Sequence, residues 1–140
     1  SLKEVLIPEK YALPGGWADR IASVIVEDEK KKSDKNKKKA SMNSYQLRKI
    51  FTQLKNIEKE IDRSKDSSMD ENFKLTSEQK NIIFLLMPQI AYARGRQLIS
   101  ESFYSLLKEC ISTNKIVDKK DYESFVRFYE AVIAYSKMYN

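Results

Sequence analysis

The chain has no histidine and one cysteine, Cys110. The first absence removes the commonest general base and metal ligand. The second excludes an internal disulfide and a Cys/His zinc cluster; in its apolar helical context Cys110 reads as a small buried hydrophobe. Three glycines and three prolines among 140 residues are too few for the turns of an all-β or α/β chain. No GxGxxG or Walker loop is present to cradle phosphates. The acidic pairs Glu58/Glu60 and Glu60/Asp62 are two residues apart, so on a helix they point to different faces. No targeting segment is visible, and no apolar run approaches the roughly 20 residues that span a bilayer. A cytoplasmic, non-enzymatic protein is therefore expected, with no catalytic residue, cofactor or metal site assigned.

What the chain does have is helix-forming sequence. Leu, Ile, Lys, Glu, Gln and Ala carry most segments, and the length allows one domain with a substantial core. The net charge of +6 is concentrated. "KKKSDKNKKK", residues 30–39, holds seven lysines and one aspartate, and without it the chain is neutral. That block reads as a flexible, solvated loop over 30–40, or as an arm adding salt-dependent affinity for nucleic acid.

Residues 1–16, with Pro8, Pro14 and Gly15–Gly16, read as an irregular lead-in whose Leu2, Val5, Leu6 and Ile7 can pack on the body. Trp17, Ile21, Val24 and Ile25 recur at i, i+4, i+7 and i+8, one face of a short helix. A second helix starts after Ser41 or Ser44, which can accept its first amides. Its stripe is Leu47, Ile50, Phe51, Leu54, Ile57 and Ile61. After a polar loop at 63–72, Thr76 and Gln79 form a capping box that starts a third helix near Ser77. Pro88 lacks a donor and clashes with the carbonyl four residues back, so a kink is expected there. The apolar residues before it occur all round, which predicts deep burial. The third helix is expected to run on through "QIAYARGRQLIS" with Gly95 in its middle, although glycine there costs ~1 kcal/mol.

A fourth helix carries Phe103, Tyr104, Leu106, Leu107, Cys110 and Ile111. Asp118 and Asp121 start the last one. Its apolar positions, from Tyr122, Phe125 and Val126 through Phe128, Tyr129, Val132 and Ile133 to Tyr135 and Tyr139, cover more than half its circumference. Such a helix is central to a bundle or shared with another chain. The expected fold is a single all-α domain over 1–140, a compact bundle of about five helices with the third kinked at Pro88.

One cationic stripe stands out. Arg48, Thr52, Lys55, Lys59 and Arg63 follow spacings of four, three, four and four on the second helix, opposite its apolar face. Arg48 to Lys59 spans ~16 Å, about three phosphate spacings of an extended strand. Two readings stay open: a solvated face with flanking ion pairs, or contacts to backbone phosphate that give affinity without sequence readout. Arg94 and Arg96 are ~200° apart on a helix. Arg94 lies near Gln97 and Glu101; Arg96 lies near Gln89, Tyr92 and Ser100. One is expected to meet solvent or phosphate. The other leans inward toward a carboxylate, with Glu130 best placed. Gly95 between them admits close approach of a packed helix, a nucleic-acid backbone or another subunit.

"SYQLRKIF" (44–51), "LLMPQIAYARGR" (85–96) and "FVRFYEAVIAYSKMY" (125–139), in this order and with "GWADRIA" near the start, resemble the small subunit of the type III-A CRISPR interference complexes, the Csm complexes. The resemblance covers most of residues 16–140 and leaves the lead-in and the lysine run as variable parts. It implies a helical, non-catalytic subunit of an RNA-guided antiviral ribonucleoprotein. Several copies would form an inner filament along the duplex of guide RNA and target RNA, with RNA cleavage assigned to other subunits. It implies RNA-phosphate contacts at Arg48, Lys49, Arg94 and Arg96; the helical faces add Lys55, Lys59 and Arg127. The expected partners are RNA, the other subunits and a second copy of the chain, as homodimer or filament, with no membrane. The alternative is a helical homodimeric interaction module or adaptor with an incidental basic loop. A DNA-binding regulator would need a helix-turn-helix with an exposed polar recognition helix, and a small nuclease would need histidine or clustered acids.

Overall fold

The computed structural model describes residues 1–36, 44–63 and 73–139. Among these residues eight helices follow one another: α1 (Leu2–Val5), α2 (Pro8–Tyr11), α3 (Trp17–Asn36), α4 (Ser44–Arg63), α5 (Ser77–Phe84), α6 (Leu86–Gly95), α7 (Glu101–Cys110) and α8 (Lys119–Tyr139). The all-α class holds: among the described residues the only extended pairing is an isolated bridge between Lys74 and Asp118.

The last helix is the centre of the bundle. α1, α2, α3 and α4 all pack on α8, and its Tyr122, Phe125, Val126, Phe128, Tyr129 and Val132 are buried. Tyr11 of α2 meets Phe128 edge-on at 5.4 Å, Phe51 of α4 stacks on Tyr129 at 6.2 Å, and Phe103 of α7 reaches Tyr129 at 5.7 Å. Each such side chain contributes ~1.5–3 kcal/mol on burial. The wide apolar arc is thus consumed within the chain, so it gives no argument for self-association.

The helix starts are written locally. Thr76 and Gln79 close the expected capping box, with Gln79 N–H donating to Thr76 Oγ1 at 3.1 Å and Thr76 N–H to Gln79 Oε1 at 2.9 Å. Ser100 caps α7, accepting from Phe103 N–H at 3.1 Å. At α8, Asp121 N–H donates to Asp118 Oδ1 at 2.9 Å and Asp118 N–H to Asp121 Oδ2 at 3.2 Å. The α4 stripe lies as expected, with Leu47, Ile50, Leu54, Ile57 and Ile61 buried and Phe51 half-buried. Ser41 and the loop at 64–72 lie outside the described residues.

The lead-in is more ordered than its prolines suggest. Pro8 stands at the start of α2, where no amide hydrogen is required. Leu2, Leu6 and Tyr11 are buried, whereas Val5 and Ile7 are exposed. The glycine pair has a reason: Gly15 takes φ +83°, and a Cβ on Gly16 would lie 2.8 Å from the Lys10 carbonyl oxygen. Tyr135 donates to the Ala12 carbonyl at 2.6 Å, and Tyr139 to Asp19, so the end of α8 holds this segment.

Four expectations change. First, α3 runs through Asn36, so residues 30–36 of the lysine block continue a helix; 37–40 lie outside the described residues. Its inner face is Ala18, Ala22, Ile25 and Val26, and Val24 is exposed. Small residues win because α8 approaches closely there. Second, the Pro88 helix is divided rather than kinked at the proline. α5 ends at Phe84, Leu85 intervenes, and Pro88 is the third residue of α6. A proline in that place forfeits only an amide that a first helical turn leaves unbonded, and the carbonyl it would strike, on Phe84, closes the preceding helix. Third, this stretch is only partly buried: Ile83 and Leu86 are inside, but Leu85 is exposed. Fourth, Gly95 ends α6 instead of sitting mid-helix. Leu98 N–H donates to the Ala93 carbonyl at 2.9 Å and Gln97 N–H to the Arg94 carbonyl at 3.0 Å, with Gln97 left-handed at φ +63°. That is a Schellman turn with glutamine where glycine is usual. Together with the one-turn helices α1 and α2, the division gives eight helices among the described residues where five were expected.

Candidate nucleic-acid interface

The cations divide by whether an acid already holds them. On α4, Arg48, Lys49, Lys59 and Arg63 are exposed and form no ion pair among the described residues. Lys55, in the middle of the expected stripe, is half-buried and bonds Glu58 at 3.0 Å. The stripe is therefore interrupted by an acid three residues on.

Neither arginine beside Gly95 leans inward. Arg94 pairs through Nε with Glu101, across the turn that ends α6, so Glu130 is not its partner. Glu130 instead lines a cleft between α4 and α8 with Leu47, Arg48, Phe51, Ile133 and Lys137. Arg96 lies over the Tyr92 ring at 5.8 Å. Nothing lies within 4 Å of where a Gly95 Cβ would stand, so no neighbour within the described residues uses the close approach that glycine permits. On α8, Arg127 is exposed and sits 3.8 Å from Glu123, which also holds Lys119 at 3.4 Å. Of the seven expected RNA-binding residues, Lys55, Arg94 and Arg127 are thus engaged by carboxylates. Arg48, Lys49, Lys59 and Arg96 are not.

The fold brings α4 and α6 together at one point. Gln53 donates to Gln89 Oε1 at 2.7 Å, joining the exposed edge of α4 that carries Lys49 to the edge of α6 that carries Tyr92 and Arg96. Arg127, on α8, belongs to neither edge. Two side chains absent from the expected set share these edges: Tyr45 and Tyr92, each 67% exposed. The sequence carried a signal for them, a tyrosine four residues before a cation in both helices.

Among the described residues no cluster of His, Cys, Asp or Glu is placed to hold a metal, and no helix is long and apolar enough to cross a membrane. The class that fold and surface define is a small helical domain presenting cations on two joined helices. A family model, Csm2 Type III-A, matches residues 21–140, and the chain belongs to that family. It is thereby a small subunit of the type III-A Csm complex, whose other subunits are its partners. The match begins within α3 and leaves out α1 and α2. No curated protein and no solved structure matches.

Proposed function

We propose that this subunit is non-catalytic and holds the sugar-phosphate backbone of guide and target RNA with exposed cations of α4 and of the end of α6, while packing against neighbouring subunits. The observation that supports this most is the group of exposed cations without an acid: Arg48, Lys49, Lys59 and Arg96. A cation already paired must exchange a carboxylate for a phosphate and gains little. An unpaired one gains the full phosphate interaction and releases a condensed counterion. The same reasoning assigns Lys55, Arg94 and Arg127 a weaker part.

The test is a filter-binding titration of RNA across salt concentrations. Arg48→Glu combined with Lys59→Glu should weaken binding at least tenfold and flatten the log–log salt slope by ~0.7 for each phosphate no longer neutralised. Arg127→Glu should change both far less. Unaltered affinity in the double variant, with an unchanged circular dichroism spectrum, removes this surface from the site.

A second reading, a helical homodimeric module or adaptor, draws support from a different place. Between α3 and α7, Trp17, Ile21, Val24 and Leu106 line an apolar groove of about 570 Å³. If that reading is right, RNA retention will show no salt dependence once residues 30–39 are deleted, and Val24→Asp will impair association with protein alone.

A further inference from the structure

The two edges that meet at Gln53 and Gln89 carry the same arrangement. Tyr45 precedes Lys49 by four residues on α4, and Tyr92 of α6 precedes Arg96, the residue that caps that helix, by four. Side chains at that spacing sit one above the other on a helix, and on α6 the contact is formed, guanidinium over ring. The exposure of these tyrosines sets them apart. Tyr11, Tyr122 and Tyr129 are buried, and Tyr104, Tyr135 and Tyr139 are half-buried.

The helices also bring the pairs to one side. Gln79 and Ile82 line a cleft with Ile57, Glu60 and Ile61, and further along Gln89 meets Gln53. The α5–α6 segment therefore runs antiparallel to α4. Leu85 keeps a right-handed conformation, φ −67° and ψ −11°. Beyond Gln89, Tyr92 and Arg96 continue toward the end of α4 that holds Lys49 and Tyr45. Residues 45–53 and 89–96 contain no acid at all.

From this juxtaposition we infer that Tyr92, backed by Arg96 and flanked by Lys49, is a stacking platform for an unpaired RNA base, with the two cations on the adjoining phosphates. The inference rests on the RNA-binding reading and extends it from phosphate to base. An exposed ring among unpaired cations fits a single strand, whose bases offer their flat faces to aromatic side chains. A continuous duplex keeps those faces covered. The ring adds affinity without sequence readout, because every base has such a face.

The experiment compares a single-stranded RNA 12-mer with the blunt duplex of the same sequence, using the full chain. Tyr92→Ala should lower single-strand affinity about 5- to 100-fold, with the salt slope unchanged and duplex affinity within about twofold of the parent. Tyr92→Phe should bind like the parent, since the ring is kept. Equal loss on both RNAs would make Tyr92 a shaping residue of the surface and overturn the stack. So would unchanged single-strand affinity in Tyr92→Ala while Arg48→Glu/Lys59→Glu still weakens binding, an outcome that leaves the phosphate reading standing. Intact RNA binding with loss of co-purifying subunits would assign the ring to a protein interface instead. No salt-dependent RNA retention by the parent chain removes both readings together.

Discussion

Tyr129 of α8 donates a hydrogen bond to the Leu47 carbonyl of α4 at 2.9 Å, and Tyr122 donates to the Leu54 carbonyl at 2.6 Å. The tyrosines are seven residues apart, as are the leucines, and the numbering runs in opposite senses. The two helices are therefore clamped antiparallel at two points two turns apart. Each carbonyl belongs to the α4 ladder and offers its second lone pair to the phenol. A tyrosine can lie fully inside this core because its one polar atom finds a partner there.

Replacing either tyrosine by phenylalanine should lower stability by ~1 kcal/mol, because the carbonyl keeps its helical donor and no acceptor is orphaned. The two sites are ~10 Å apart along the helix, so the double variant should lose close to the sum. Urea unfolding followed by circular dichroism measures both; a loss well above the sum would show that the two bonds act as one unit.

The same phenols predict a loss of stability in alkali. Burial pushes the titration of Tyr122 and Tyr129 far above the ordinary tyrosine range, and for Tyr122 the charge of Glu58 acts in the same direction. A phenol that is harder to ionise in the fold stabilises it fully below the unfolded value of about 10, and that contribution is lost as pH rises beyond it. Thermal midpoints should fall above about pH 10, and fall less steeply in Tyr129→Phe.

At the acid end the key group is Asp121. Burial alone would raise its pKa, but amide hydrogens from Lys3, Val117 and Asp118 bond its carboxylate, and the net shift is downward. Those bonds are 2.9, 3.0 and 3.2 Å long. The stability that this carboxylate contributes is present above the unfolded value of about 3.9 and is lost as pH falls through the lower folded value. Asp121→Asn should cost about 2 kcal/mol at pH 7 and flatten the acid limb of the stability–pH curve.

The turn that ends α6 can be improved at two positions. Gly95 is helical, exposed and surrounded by open space, so Gly95→Ala should stabilise the isolated chain by up to ~1 kcal/mol. Gln97 holds a left-handed conformation that glycine adopts at no cost, so Gln97→Gly should add ~1 kcal/mol. Differential scanning calorimetry should show each as a rise of a few degrees. A drop for Gly95→Ala would reveal a neighbour at that position.

What could be read from the chain alone was whatever depends on neighbours within one or two turns. The capping box at Thr76 and Gln79, the Asp118–Asp121 start of α8, the stripe of α4 and the all-α class all follow from i, i+3 and i+4 geometry, which sequence spacing encodes directly. Three-dimensional packing decided the rest. It turned the wide arc of α8 inward, because α1 to α4 surround it. It ended α6 at Gly95, because Gln97 N–H donates to the Arg94 carbonyl and Leu98 N–H to the Ala93 carbonyl, which holds the glutamine left-handed. It sorted the cations as well: the spacing had put Arg94 near Glu101, and the turn that ends α6 brings the two into an ion pair. The meeting of α4 with α6 through Gln53 and Gln89 is of the same kind. Sequence spacing cannot reach such contacts, since which helix lies beside which is fixed by the whole core at once.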